Sequence, residues 1–283
     1  SITRSIHKEN LKNSPFKESY KLSKAERKIA GLPPNRYFEQ LWTLSMDPIK
    51  GRPLFEDLYK LQEELNETRK IRENTVPGES VETKWIERGP NNVGGRTKGA
   101  MFDPNDSTDE TVFTGGVSGG LFKNIKISDP NSQWVKIDGI PENIPVSSIT
   151  FDPNNKQIFY VGTGESYTRD APGNGLWQSK DGGATWTNIY GGRTGGYGQS
   201  GLIYINDVVV RNNGGSSEII FASSMGYDGA GWLGQNSYGV YKSTNNGTSF
   251  EEIDIGKDSN GKTYAVIDLE IAPDDKVWGS TTN

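Results

Sequence analysis

Cysteine is absent from the 283 residues, and histidine occurs once, at His7. Without thiols the chain can form neither a disulfide nor a thiolate metal site. A single histidine in a polar stretch removes histidine-based catalytic triads and histidine metal clusters. Long hydrophobic runs are also missing: no apolar stretch approaches the ~20 residues a membrane-spanning helix needs. Glycine is scarce in one place only. Residues 1–80 contain Gly31, Gly51 and Gly78, so 32 of the 35 glycines come later. Charge divides at the same point, because the first 80 residues hold 15 Lys/Arg against 12 Asp/Glu, a net +3, leaving −8 for the remainder of a chain whose total is −5. The shift near residue 80 predicts a domain boundary, and the mildly acidic balance argues against a nucleic-acid partner.

Residues 1–30 are basic and polar, with Lys8, Lys12, Lys17, Lys21, Lys24 and Lys28 spread along them, and are expected to form a loosely ordered arm. Residues 31–80 predict two helices. Pro33-Pro34-Asn35 starts one over 36–46, which Asp47-Pro48 stops. Arg52-Pro53 opens a second running to about Glu73, with Leu54, Leu58, Leu61 and Leu65 at helical spacing. That single apolar stripe must bury one face, and its expected partner is the domain that follows.

From residue 81 onward the chain repeats itself. Ala100-Met-Phe-Asp-Pro-Asn105 returns as Ile149-Thr-Phe-Asp-Pro-Asn154, with looser versions at Val208–Asn212 and Leu269–Pro273. Taking Phe102, Phe151, Val210 and Ile271 as equivalents gives intervals of 49, 59 and 61 residues. A second strand is predicted after each, at 111–115, 158–162, 218–223 and 276–279. A third begins Gly120-Leu-Phe-Lys, Gly175-Leu-Trp-Gln and Gly239-Val-Tyr-Lys. A fourth carries Trp134-Val-Lys-Ile, Trp186-Thr-Asn-Ile and Phe250-Glu-Glu-Ile. Four short antiparallel strands per period of this length describe a β-propeller blade. The expected fold is therefore all-β: a propeller of three complete four-stranded blades and part of a fourth over residues 81–283, preceded by a short α-helical segment. Propellers close with roughly four to eight blades, so the chain is expected to be the N-terminal portion of a longer one.

Between the third and fourth strands lies a recurrent polar turn. In Ser179-Lys-Asp181-Gly-Gly183-Ala-Thr-Trp186 the aspartate can accept from nearby backbone N–H groups, the glycines accept φ > 0, and the tryptophan can tuck back on the sheet. Ser243-Thr-Asn245-Asn-Gly247-Thr-Ser-Phe250 repeats it with asparagine for aspartate, and Ser128–Trp134 retains almost nothing of it. The pattern resembles the Asp-box of the bacterial neuraminidase repeat, found in sialidases, sortilin-type domains and many secreted propellers. Trp85-Ile-Glu-Arg-Gly-Pro-Asn-Asn-Val-Gly-Gly-Arg96, the Phe-Asp-Pro-Asn starts and Thr114–Phe122 are similar to large secreted propeller proteins of Bacteroidetes, a resemblance spanning about residues 36–283. It implies export to the outside or surface of a Gram-negative bacterium, with the type IX secretion system as route and its components among the partners.

Meander connectivity places strand 1–2 and 3–4 turns at one end of each blade, where connections are short, and the longer 2–3 and 4–1 loops at the other. Asp103, Asn105 and Ser107 have oxygen-ligand spacing, but Pro104 and a missing glycine spoil a calcium loop. They read as turn caps, as does Asp181, so no metal or cofactor is expected. The long loops carry Tyr167, Arg169, Arg193 and Tyr197, and further on Tyr227, Trp232 and Tyr238, rings and guanidinium groups suited to a protein or glycan surface.

Chemistry would need more. A glycosidase places two carboxylates roughly 5–10 Å apart, for which Glu165 and Asp170 are the candidates. Xyloglucanase-type propellers carry an aspartate in the 2–3 loop of the first blade, where this chain reads Gly115-Gly-Val-Ser-Gly119. Sialidases need an arginine cluster, which Arg96, Arg169 and Arg193 could supply at a central channel. The expected role is a binding or scaffolding module in adhesion, motility or secretion. The alternative is a sialidase- or xyloglucanase-like hydrolase whose catalytic residues lie partly outside this segment.

Overall fold

The computed structural model describes residues 2–30, 32, 35–52, 64–65, 67–68, 95–117, 119–141, 144–165, 173–191, 204–223, 239–257, 259, 261 and 263–282. The chain divides into two compact units, Ser1–Gly94 and Gly95–Asn283.

The first unit is helical. The stretch expected to be a loose arm carries helix α1 (Ile2–Lys12), a 3-10 turn (Ser19–Lys21) and helix α2 (Lys24–Ile29). Ser23 and Glu26 close a capping box at the start of α2, each satisfying the other's backbone N–H. Helix α3 spans Tyr37–Ser45, inside the predicted 36–46. Of the second predicted helix, Glu64, Leu65, Glu67 and Thr68 are helical, whereas Leu54, Leu58 and Leu61 lie outside the described residues. A buried ion pair ties α2 to α3: Arg27 donates to Glu39 and also to the carbonyls of Ser19 (2.9 Å) and Asn35 (2.8 Å). Burial alone would push Glu39 up, but the Arg27 guanidinium, with backbone and Ser19 hydrogen bonds, holds its carboxyl below the usual range. Beside the pair, Phe16 meets Trp42 edge to face at 6.1 Å.

Among its described residues the regular elements of the second unit are all strands, as the repeat predicts. Its first sheet runs β1 (Thr97–Phe102), β2 (Val112–Gly116), β3 (Leu121–Asn124) and β4 (Val135–Ile137). The second runs β5 (Val146–Asp152), β6 (Asn155–Thr163), β7 (Leu176–Ser179) and β8 (Thr187–Tyr190). The third runs β9 (Ile205–Asn213), β10 (Ser216–Ser223), β11 (Gly239–Ser243) and β12 (Glu251–Ile253). The chain then makes the pair β13 (Ala265–Ile271) and β14 (Val277–Thr282). Every sheet is an antiparallel meander with strands in sequence order. The first strands β1, β5, β9 and β13 are successive neighbours, so three complete blades and part of a fourth follow one another around an inner axis.

Apolar residues fill the gaps between blades. Phe113, Leu121, Val146, Phe159 and Trp186 pack between the first and second sheets, and Phe113 meets Phe159 edge to face at 5.4 Å. Leu176, Ile205, Ile219 and Phe221 pack between the second and third; Ile220, Val240, Val266 and Leu269 between the third and fourth. Each fully buried side chain of this kind stabilises the fold by about 1.5–3 kcal/mol.

A polar seam joins the inner strands at a fixed position. Three residues before Phe151, Val210 and Ile271 stand Ser148, Asp207 and Asp268. Ser148 Oγ donates to Asp207 Oδ1 at 2.6 Å and accepts from Val208 N at 3.3 Å, while Asp207 Oδ2 accepts from Leu269 N at 2.9 Å. One residue earlier the link repeats: Ser147 Oγ donates to the carbonyl of Ile205, and Asn206 Nδ2 to that of Val266 at 2.7 Å. In the first blade the position is Gly99, where a Cβ would sit 3.1 Å from Ser148 Cα. Close approach of two backbones, rather than a side chain, makes that junction.

Candidate functional site

The two ends of the blades handle polar residues differently, and the short-turn end comes first. Asp103 Oδ1 accepts from Asn105 N at 2.9 Å. Asp106 caps the same loop, accepting from the N–H groups of Thr108 and Thr111 and from the Thr108 hydroxyl, bonds that hold its carboxyl far below the usual range. Asp152 accepts from Asn154 N and from Ser217 of the next blade.

Between β7 and β8, Ser179 Oγ donates to Asp181 Oδ1 at 2.8 Å and accepts from Gly183 N at 2.8 Å. Asp181 also accepts from Thr185 N (2.8 Å) and the Thr185 hydroxyl (2.6 Å). Those Thr185 bonds, with that of Ser179, lower its carboxyl to about 2. Trp186 is buried and its indole N–H donates to the Gly183 carbonyl at 3.1 Å. Gly183 has φ +89°, and a Cβ there would meet the Phe113 ring at 3.1 Å, so both the turn and the packing demand glycine. The next blade repeats the arrangement: Gly247 N donates to Ser243 Oγ (3.0 Å) and Ser249 N to Asn245 Oδ1 (3.0 Å), while Asn245 Nδ2 donates to Ser249 Oγ (2.8 Å). Phe250 takes the place of the tryptophan and is half-buried. In the first blade Asn124 serves instead, accepting from Ser132 Oγ at 2.8 Å and from Lys126 N at 2.8 Å. These carboxylates and amides face their own backbone, so the end is knotted rather than reactive. Among the described residues no three His, Asp or Glu side chains converge as a metal would require.

At the opposite end the geometry changes. Arg96 immediately precedes β1, the innermost strand of the first blade, and its carbonyl accepts from Val117 N at 3.0 Å beyond β2. Glu165 follows β6 in the second blade. Residues 174 and 175, just before β7, are bonded to the end of β6, with Thr163 Oγ1 donating to the Gly175 carbonyl at 2.6 Å and accepting from Asn174 N at 2.8 Å. Gly173 lies so close to this strand end that a Cβ would be 2.3 Å from the Thr163 backbone. Held this way, Glu165 meets Arg96 across the blade boundary, Oε1 to Nη2 at 3.3 Å. The two side chains differ sharply in exposure, 2% for Glu165 and 51% for Arg96. The carboxylate is buried, and the planar guanidinium is half-exposed.

No family model matches the chain, and no curated protein does. Solved structures do. An ancestral GH74 enzyme aligns with 66% of this chain and 22% of its own length, at 18% identity and a TM-score of 0.45. The GH74 xyloglucanase of Xanthomonas campestris aligns with 64% of this chain and 25% of its own, at 15% identity and a TM-score of 0.40. The chain thus matches about a quarter of the length of each of these propellers.

Of the residues the sequence singles out for this end, Arg96 and Glu165 are brought together. Asp170, the intended second carboxylate, lies outside the described residues, as do Tyr167, Arg169, Arg193, Tyr197, Tyr227, Trp232 and Tyr238. The sequence missed the pairing itself, because Arg96 and Glu165 belong to different blades. Superposing the repeats would have found it, since one residue opens an inner strand and the other closes a second strand at the same end.

Proposed function

We propose that the chain is a glycan-binding propeller module of the bacterial cell surface or exterior, with Arg96 as the polar anchor of its long-loop end. The supporting observation is the burial of Glu165. A carboxylate that cleaves a glycosidic bond must touch it, whereas this one is enclosed and fixed to Arg96. Its role in this reading is to orient the guanidinium, whose donors suit the hydroxyl and carboxylate oxygens of a saccharide. The surface setting and the type IX route rest on the resemblance of residues 36–283 to secreted Bacteroidetes propellers.

The second reading is glycan hydrolysis, the activity named for the X. campestris enzyme. It requires a second carboxylate, for which Asp170 is the candidate, and a Glu165 that becomes exposed when substrate binds. One experiment separates the two. The protein is screened against xyloglucan, glucan and sialylated oligosaccharides for retention and for release of reducing ends. The module reading expects saccharide retention without release, weakened about tenfold by Arg96→Lys, which keeps the charge and loses the fork. Reducing ends that disappear in Glu165→Gln or Asp170→Asn would establish the hydrolase. Failure to retain any saccharide, in a protein of unchanged circular dichroism, would refute both.

A further inference from the structure

The second and third blades carry the same elements, yet their outer strands finish differently. Aligning Gly175-Leu-Trp-Gln-Ser with Gly239-Val-Tyr-Lys-Ser makes Trp177 equivalent to Tyr241, and the fourth strands then equate Asn188 with Glu252. In the second blade this pair is tied off. Trp177 Nε1 and Asn188 Nδ2 both donate to the Asn174 carbonyl, at 3.0 and 2.6 Å. In the third blade no hydrogen bond or ion pair of Glu252 occurs among the described residues, and the side chain is exposed. Tyr241 and Glu252 are direct cross-strand partners in β11 and β12, so both stand on one face of the sheet.

That face belongs to the junction with the second blade, whose last strand delivers a third group. Tyr190 sits 4.5 Å from Phe250, 5.8 Å from Phe221 and 6.3 Å from Tyr241, ring centre to ring centre, and Phe221 stacks beneath Tyr241 at 5.1 Å and 16°. At the equivalent of Tyr190 the first and third blades have Asp138 and Asp254, so this junction brings two tyrosines to a carboxylate at positions where the junction before it has Asp138, Trp177 and Asn188. Gly239 lets them converge: a methyl group on it would meet a Glu252 carboxylate oxygen at 3.2 Å and the Tyr241 ring at 3.3 Å. Both phenols feel the carboxylate. Burial, then the charge of Glu252, raises Tyr190 and pushes Tyr241 up to about 12. Among the described residues the neighbouring cation, Lys242, points to the other face, where it pairs with Glu218 and Glu251.

Ring faces and a carboxylate are all negative, and a ring floor excludes water from one side. We infer that Tyr190, Tyr241 and Glu252 form a binding site for an organic cation, an ammonium or guanidinium group carried on an apolar stem. This site is separate from Arg96 and Glu165, and it stands or falls without them.

The test titrates the protein with choline, with its uncharged isostere 3,3-dimethylbutanol, and with Nα-acetyl-lysine methylamide, following tyrosine ring resonances by NMR. Saturable shifts are expected with the cations and not with the isostere. Choline binding should weaken about tenfold in Glu252→Gln and in Tyr190→Leu, the size of a desolvated cation–π contact and a lost charge. Tighter binding of choline than of the lysine derivative identifies a small quaternary amine as the ligand type; the reverse identifies a protein side chain. Because Glu252 is exposed, its substitution leaves folding intact, and an unchanged spectrum elsewhere verifies that. Equal binding of the isostere, cation binding indifferent to Glu252→Gln, or no saturable shift with any cation overturns the assignment.

Discussion

Asp181 and Glu165 sit at opposite ends of the same blade and show two uses of a carboxylate. Asp181 accepts from Ser179 and Thr185, both within four residues of it, and closes a turn on itself. Glu165 finds its cation in the blade before it. The difference follows from loop length. A short turn brings backbone N–H groups to the side chain, so Asp, Asn and Ser are consumed in holding the turn. At the end of β6 the carboxylate of Glu165 is met by a charged group from another blade. The short-turn end is therefore expected to yield stability when altered, and the long-loop end to yield binding.

The largest effect should come from the short-turn end. Trp186→Ala removes a ring buried between the first and second sheets and its hydrogen bond to Gly183. It should cost about 3–5 kcal/mol, read from the urea midpoint, with saccharide retention at a matched folded fraction unchanged. Loss of binding in excess of unfolding would break the division between the ends. Next comes the seam midway along the blades. Asp207→Ala strands the Ser148 hydroxyl and the Leu269 N–H, and a cost of about 2–3 kcal/mol is expected from those unmet groups. A change under about 0.5 kcal/mol, the range of ordinary surface substitutions, would show that the seam does not join the blades.

The seam also marks what could be read in the sequence. Blade strands were legible because apolar alternation recurs at a regular interval and turns of recurrent chemistry close several of them; the predicted second strand at 158–162 lies within the observed Asn155–Thr163. The turn bonds of Asp181 were legible because every partner is local. Ser148, Asp207 and Leu269 were not, since a serine and an aspartate inside apolar strands look like exposed positions until neighbouring strands are placed beside them. Their signal was a polar column three residues before Phe151, Val210 and Ile271, visible only after the repeats are superposed. Tyr241 and Glu252 escaped for a related reason: they matter through contrast with Trp177 and Asn188, and a cross-strand pair becomes visible only when register is known.

At the long-loop end the expected stability changes are smaller and depend on which partner is removed. Arg96→Ala removes the Arg96 cation from the enclosed carboxylate of Glu165, and about 2 kcal/mol should be lost after allowing for the half-exposed arginine. Adding Glu165→Gln should recover most of that stability without restoring saccharide retention. If the double variant is no more stable than Arg96→Ala, burial of the charge is not what couples the two residues.

The smallest effect lies in the acid limb of the stability curve, where Asp181 and Asp207 have opposite signs. Burial raises the Asp207 carboxyl above 3.8, so its ionised form opposes folding at neutral pH, and protonation on acidification removes that opposition. Asp181 is lowered from 3.8 to about 2 by Thr185 and Ser179. Its contribution is complete above 3.8 and is lost as pH falls through about 2. Asn245 shows what an amide does in the same turn: it keeps the Ser249 N–H and turns the second bond around, donating to the Ser249 hydroxyl. Asp181→Asn should therefore retain the fold with a slightly lower urea midpoint at pH 7 and a flatter decline between pH 4 and 2. Asp106, whose carboxyl is also lowered by its threonine bonds, keeps some acid sensitivity in the variant. An acid limb as steep as that of the parent would assign the sensitivity to Asp106 and the other turns, and leave Asp181 interchangeable with asparagine at every pH.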